Sequence, residues 1–215
     1  MSASHLVVVF DYGSGNVGSI GRMLDQLGCR WVCSSDASVV KNSSHIILPG
    51  VGHGGQTMKL LRSSPSVSVL IDSVCVRETP VLGICLGMQI MTTRTEEGPC
   101  ECLGFLSGES VQLVPRMSSL KVPNIGWHTL KQVHPDPLLY GINLETMPFY
   151  FCHRYGVYST NTPDTIAELD YGERYAAIIR KRHIVGVQFH PEKSHDPGLR
   201  IFRNFLTMIS PSRHR

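Results

Sequence analysis

Pro80-Val81-Leu82-Gly83-Ile84-Cys85-Leu86-Gly87-Met88-Gln89 decides how the rest of the chain is read. Val81, Leu82 and Ile84 are apolar and β-prone, whereas Leu86, Met88, Gln89, Ile90 and Met91 favour helix. The run therefore predicts a strand that becomes a helix at Cys85. Gly83 and Gly87 flank that cysteine at the spacing G-x-Cys-x-G. This is the pattern of a nucleophile elbow with sulfur in place of oxygen, in which a sharp turn presents one side chain at the carboxyl edge of a sheet. Such a bend brings neighbouring backbone too close for a Cβ, which calls for glycine on both sides. The side chain would stand at a helix N-terminus, where partial positive charge favours negative charge. A buried structural cysteine is the plainer alternative, since most cysteines are that.

The residues before the elbow alternate strand and helix. Leu6 to Phe10 is a continuous apolar run, as a buried parallel strand requires. A helical pattern follows at Val17, Ile20, Leu24 and Leu27, closed by Gly28. Short strands are expected at 30–34 and 45–48, and helices at about 56–62 and 67–77, before the elbow strand begins. This order predicts an α/β fold with a parallel sheet covered on both faces. After about residue 102, β-rich runs at 109–114, 127–133, 148–158, 165–170, 175–180 and 184–189 are separated by Pro, Gly and Asn turns. They read as an antiparallel addition to the same sheet. A last amphipathic helix is expected at about 198–209, then a tail at 211–215. No linker divides the chain, which is expected to be a single domain over 1–215 with its core at about 6–208.

Composition narrows the function classes. The formal charge of +3 in 215 residues is spread out, which argues against nucleic-acid binding. Seven cysteines, odd in number and without framework spacing, point to a reducing compartment, and the expected location is the cytoplasm. Cys100 and Cys102 lack a second pair to complete a zinc site, so no metal is expected. The apolar run at 6–10 is too short for a membrane span, and no membrane partner is expected. Gly13, Gly15 and Gly18 match the dinucleotide fingerprint G-x-G-x-x-G between a strand and a helix, with Asp36 near the position of a ribose-binding acid. A dinucleotide-binding module is thus a competing reading of the N-terminal third.

Two further segments can serve the thiol. Pro49-Gly50-Val51-Gly52 closes the strand at 45–48, and its glycines allow backbone shapes in which N–H groups point at a developing oxyanion. The strand at 184–189 ends in His190-Pro191-Glu192. In extended chain, residues two apart project to one side, so Glu192 can orient His190 as the base for Cys85. An isolated His-x-Glu is commonly a surface feature. It gains weight because both His190 and Cys85 close strands, and parallel strands end at one edge.

Leu82 to Gln89, Pro49 to Gly52 and Val187-Gln188-Phe189-His190-Pro191-Glu192 together resemble the class I (triad) glutamine amidotransferases. More narrowly, residues 6–208 resemble the glutaminase subunits of imidazole glycerol phosphate synthases. The resemblance implies a flavodoxin-like, mostly parallel sheet flanked by helices. It implies that Cys85 forms a thioester with glutamine, that His190 is base and acid, and that Glu192 orients it. It places the oxyanion hole at Leu86 and the Gly50-Val51-Gly52 backbone, and the amino acid end of glutamine against Gln89, Glu97 and the backbone at Arg154 and Tyr155. It implies no cofactor. It also implies a (β/α)8-barrel cyclase partner in a heterodimer that takes the ammonia to make imidazole glycerol phosphate and aminoimidazole carboxamide ribotide.

Two departures stand out. Pro123-Asn124-Ile125-Gly126-Trp127-His128 replaces the usual Pro-His-Met-Gly-Trp-Asn, and Gly54 stands where an aromatic often follows. A paralogous glutaminase that supplies ammonia for amidating a surface-polysaccharide sugar is therefore the alternative within the family. The isolated chain is expected to be a poor glutaminase, because the glycine-rich 49–52 segment can turn its N–H groups toward or away from the site.

Overall fold

Runs of Val, Ile and Leu with almost no polar interruption become the centre of a parallel sheet, because helices cover both of its faces. The computed structural model describes residues 5–114, 117, 120–158 and 163–209; the tail expected at 211–215 lies outside them. The first half comprises β1 (Leu6–Phe10), α1 (Val17–Gln26), β2 (Arg30–Ser34), α2 (Ala37–Lys41), β3 (His45–Leu48), α3 (Gly54–Ser63), α4 (Val67–Cys75), β4 (Val81–Ile84) and α5 (Leu86–Met91). The strands lie side by side in the order β2-β1-β3-β4, all parallel. The last strand of the chain, β14 (Ile184–Val187), returns to pair in parallel with β4.

Alternate residues of each strand feed two cores. Val7, Val9, Ile47, Leu82, Val185 and Val187 pack with Ile20 and Leu24 of α1 and with Ile201, Phe202 and Phe205 of α6 (His195–Leu206). Val8, Ile46, Leu48 and Val81 pack on the opposite face with Val40, Met58, Leu61, Leu70, Val74 and Met88 from α2 to α5. Burying one such side chain contributes about 1.5–3 kcal/mol, so each strand is anchored twice over. In this arrangement β1, β3, β4 and β14 all deliver their carboxyl ends to one edge, the usual ligand side of an open α/β sheet.

The second half departs from the sequence expectation in one respect that matters. It comprises β5 (Arg94–Thr95), β6 (Cys100–Glu101), β7 (Glu109–Gln112), β8 (Asn124–His128), β9 (Lys131–Gln132), β10 (Phe149–His153), β11 (Tyr155–Tyr158), β12 (Thr165–Asp170) and β13 (Arg174–Lys181). The sheet continues β14-β13-β11-β7-β5-β6, with β12 on β13 and β9 on β12. The runs expected at 127–133 and 148–158 each split, and among the described residues β8 and β10 pair only with one another, as a separate antiparallel ribbon. At Arg154 the chain changes partner: His153 faces Asn124 of the ribbon, whereas Tyr155 faces Gln112 of the main sheet. Alternation of apolar residues runs through the break and carries no information about which strand each side will meet. The last helix begins at His195 rather than 198, because Pro197 sits in its first turn, where a missing N–H costs nothing.

Candidate active site

Cys85 occupies the single residue between β4 and α5, with φ 53° and ψ −108°. A non-glycine residue held there is strained, and the surrounding contacts hold it. The Cys85 N–H donates to the Val187 carbonyl at 2.8 Å, and the Gln89 N–H donates to the Cys85 carbonyl at 3.1 Å. A Cβ on Gly87 would lie 1.9 Å from the Leu48 carbonyl oxygen, and one on Gly83 would lie 2.6 Å from the Met91 sulfur. The turn thus needs glycine at both positions for the reason that its spacing suggested. Cys85 as a whole is 6% exposed.

The 49–52 segment lies against this turn. A Cβ on Gly50 would fall 2.3 Å from the Gly87 nitrogen, so Gly50 is where two backbones touch, and it does not line the cleft. Val51, Gly52 and Leu86, the other oxyanion candidates, do line it. Gly52 adopts φ 113°, which favours glycine. The loop after β1 braces the segment from behind: the Tyr12 hydroxyl donates to the Pro49 carbonyl and the Ser14 hydroxyl to the Val51 carbonyl. Burial pushes the Tyr12 hydroxyl well above its usual pKa, which keeps it a donor. A Cβ on Gly15 would meet Pro49 at 2.6 Å. The dinucleotide-like loop is therefore engaged with the 49–52 segment through Tyr12, Ser14 and Gly15, and Asp36 caps α2 by accepting from the N–H groups of Ser38 and Val39.

His190 and Glu192 come together by a different route from the one expected. His190 is extended, with φ −98° and ψ 94°, but Pro191–Lys193 form a 3-10 turn, and this turn carries the carboxylate back to the ring. Nδ1 of His190 is 2.8 Å from Oε1 of Glu192, with side chains 4% and 1% exposed. The loop is pinned on both sides: the His190 N–H donates to the Tyr150 carbonyl at 2.8 Å, and the Ser194 hydroxyl donates to the His190 carbonyl at 2.6 Å. Burial alone would lower the His190 pKa, but interaction with Cys85 and with the Glu192 carboxylate outweighs it, and the ring is pushed up to about 10. His190 therefore favours its protonated form beside the sulfur at neutral pH.

Cys85, Leu86, Val51, Gly52 and His190 line one cleft of about 280 Å³ with Gln89, Glu97, Pro123, Cys152, His153, Arg154, Tyr155 and Lys193, while Glu192 stands behind the His190 ring. Every proposed glutamine contact is thus at the same place as Cys85. Nε2 of Gln89 donates to the Tyr155 carbonyl at 2.6 Å, and Oε2 of Glu97 accepts from the Gly54 N–H at 2.7 Å. Gly54 is explained by this contact, since a Cβ there would sit 3.1 Å from Oγ1 of Thr95 and 3.3 Å from the Glu97 carbonyl oxygen. Sequence reasoning missed Gln188, whose Nε2 lies 3.7 Å from the Cys85 sulfur. A polar residue closing an apolar strand beside the His190 motif was the available signal. It also missed Tyr12, Ser14 and His153, for which composition and spacing carry none. Among the described residues, no group of three or more His, Cys, Asp or Glu is placed to hold a metal ion, and no helix is long and apolar enough to cross a membrane.

A cysteine on a strained turn, a buried imidazole held by a carboxylate, and the neighbouring residues Val51, Gly52 and Leu86 on the same cleft suit acyl transfer from a small amide. Residues 8–209 match the family model for glutamine amidotransferase class-I. The chain is 37% identical to the imidazole glycerol phosphate synthase subunit HisH 2 of Pseudomonas aeruginosa, over 95% of this chain and 100% of that one. It is 38% identical to the corresponding HisH subunit of Xanthomonas oryzae pv. oryzae, over 95% and 98%. Among solved structures, that of PurLQS from Thermotoga maritima shares the fold with a TM-score of 0.70, at 20% identity over 94% of this chain and 98% of that one. These relatives favour neither a sugar-amidating paralogue nor a dinucleotide-binding module. With residues 8–209 matched by the family model and 95% of its length aligned to these relatives, the chain belongs to the class-I glutamine amidotransferases, alongside the HisH subunits of imidazole glycerol phosphate synthase.

Proposed function

We propose that this chain is the ammonia-producing subunit of an imidazole glycerol phosphate synthase, and that Cys85, His190 and Glu192 carry the reaction. The observation that carries the reading is the convergence on one cleft of Cys85, of His190 held by its buried Glu192 partner, and of Val51 and Gly52. The sulfur attacks the carboxamide carbon of glutamine, and the developing oxyanion is met by backbone N–H groups at Val51, Gly52 and Leu86. His190 gives its proton to the departing nitrogen, the C–N bond breaks, and ammonia leaves behind a γ-glutamyl thioester. The ring then takes a proton from water, which attacks the thioester and releases glutamate. Glu192 keeps Nδ1 of the ring occupied throughout, so that the other nitrogen faces the reaction. Gln89, Glu97 and the backbone at Arg154 and Tyr155 hold the amino acid end.

The ammonia passes to a (β/α)8-barrel cyclase subunit. Support for this comes from the HisH-named relatives and from exposed apolar side chains: Val51 on the cleft is 44% exposed, and Ile125 and Trp127 on β8, the strand that follows the cleft residue Pro123, are 61% and 45% exposed. Apolar groups left in water beside a reactive centre suit a protein cover. The free chain hydrolyses glutamine slowly, and the partner shifts the 49–52 segment toward its productive form. The test uses the purified chain with its barrel subunit. Cys85→Ala is expected to reduce glutamine-dependent synthesis at least about a thousandfold while synthesis from ammonium salts persists. Glutamate release by Cys85→Ala at the normal rate would sink the assignment.

A further inference from the structure

A line of polar side chains runs from the nucleophile into the ribbon. Nε2 of Gln188 lies 3.7 Å from the Cys85 sulfur, and Oε1 of Gln188 accepts from Nε2 of Gln89 at 3.1 Å. The same Gln89 nitrogen donates to the Tyr155 carbonyl at 2.6 Å. That carbonyl also accepts from Nδ1 of His153 at 2.8 Å. Nε2 of His153 is 3.1 Å from Nδ2 of Asn124, and Oδ1 of Asn124 is 2.8 Å from Nε2 of His128. Gln188, Gln89, His153 and Asn124 are all buried, at 1%, 4%, 5% and 1% exposure.

Each link dictates the next. A carbonyl oxygen only accepts, so Nδ1 of His153 carries the hydrogen. Burial holds that imidazole down at about pKa 4 despite its bond to Tyr155, so the ring is neutral and Nε2 is a bare acceptor. A bare acceptor requires a donor, which makes Asn124 turn its amide nitrogen toward His153 and its oxygen toward His128. The oxygen in turn requires a hydrogen on Nε2 of His128. That ring is kept neutral by burial and is fixed edge-on by Phe151 and Tyr171, with centroids 5.6 and 5.7 Å away. One reversed member would set two donors or two acceptors face to face, at a cost comparable to an unmade buried hydrogen bond.

We propose that Asn124 and His128, neither of which lines the cleft, are positioning residues for glutamine hydrolysis. They lock His153 in its Nδ1–H tautomer and so hold the Tyr155 carbonyl where Gln89 is anchored. The proposal rests on the placement of glutamine against Gln89 and Tyr155 given above. It also accounts for the unusual segment 123–128. Relative to Pro-His-Met-Gly-Trp-Asn, residues 124 and 128 have exchanged His and Asn. Four apart on one strand, they share a face, so the exchange keeps an amide–imidazole pair and reverses its order.

Nitrogen-15 labelling of histidine reads the tautomer of each ring directly in the full chain. At pH 7, His153 is expected to be entirely Nδ1–H; an Nε2–H or doubly protonated signal there overturns the proposal with no variant needed. His128→Phe keeps the ring and removes the donor, so Asn124 can flip and the His153 signal is expected to become a mixture of tautomers. In the complex with the barrel subunit, its KM for glutamine is expected to rise about tenfold, the scale of one buried hydrogen bond, with kcat changed less than about twofold. The double variant N124H/H128N is expected to recover most of that loss. A single His153 tautomer and unchanged KM in His128→Phe overturn the proposal, as does a double variant no better than Asn124→His alone. Glutamate release by the wild-type complex in the same assay separates this outcome from failure of the glutaminase reading.

Discussion

The two walls of the cleft are built to different tolerances. The parallel wall is backbone against backbone: at Gly50, Gly83 and Gly87 an added Cβ would fall within 3 Å of a neighbour, and Cys85 is held at a strained φ of 53°. The ribbon wall is side chain against side chain, held by the Asn124–His128–His153 line and by rings such as Trp127, which stacks on His195 at 5.1 Å. The difference teaches where each task is placed. In the proposed reaction the thiol must stand within tenths of an ångström of its base and oxyanion donors, and close-packed backbone supplies that rigidity. The proposed recognition of glutamine and of a partner would tolerate exchange of side chains, and the departures from the family pattern in residues 123–128 fall in this wall.

Three measurements break or sharpen this contrast. The largest effect is expected in the parallel wall. Gly87→Ala places a methyl group 1.9 Å from the Leu48 carbonyl oxygen, so urea unfolding should show a loss of more than about 4 kcal/mol or no folded protein. Gly18→Ala is the internal control. Gly18 is also helical, with nothing within 4 Å of its added Cβ, and this change should stabilise by about 0.5–1 kcal/mol. Equal effects of the two changes would remove the claim that backbone proximity fixes the elbow.

The next effect belongs to the ribbon wall and depends on pH. Burial lowers the His153 pKa to about 4 in the folded chain, from an ordinary 6.5. Between these values the unfolded state binds more protons, so stability rises with pH there. The contribution is fully present above about pH 6.5 and is lost as pH falls through 4. His153→Gln should therefore flatten the acid limb of the stability curve by up to about 3 kcal/mol, compared by urea unfolding at pH 7.5 and 4.5. Parallel curves for the two proteins would mean that His153 is not held neutral. The smallest effect is expected for Trp127→Ala. With the ring 45% exposed, the isolated chain should lose less than about 1 kcal/mol, while calorimetric affinity for the barrel subunit falls about tenfold. Unchanged affinity would take Trp127 out of the proposed interface.

Much of the parallel wall was legible beforehand, because its constraints are local. Strand runs buried on both faces are apolar throughout, and a turn with no room for a Cβ announces itself as G-x-Cys-x-G. The glycine-rich loop at 13–18 misled for the same reason. Its spacing equally fits a phosphate cradle, and only the contacts of Tyr12, Ser14 and Gly15 with Pro49 and Val51 show where the loop is engaged. The ribbon was not legible. One residue, Arg154, separates a strand that pairs with Asn124 from one that pairs with Gln112, and alternation is the same on both sides.

By itself the sequence determined the elbow at Cys85, the helices and strands that converge on it, and the chemical kinds of group available there. Those follow from what each residue and its near neighbours can adopt. Tertiary structure alone decided that Glu192 reaches His190 through a 3-10 turn, that Gln188 faces the sulfur, and that Asn124 and His128 stand behind the Tyr155 carbonyl. The last two are matters of pairing between distant segments: Gln188 meets Cys85 across 103 residues, and His153 meets Asn124 across 29. Such pairing is settled by which surfaces can be buried together, a property of the whole fold that no local run of residues contains.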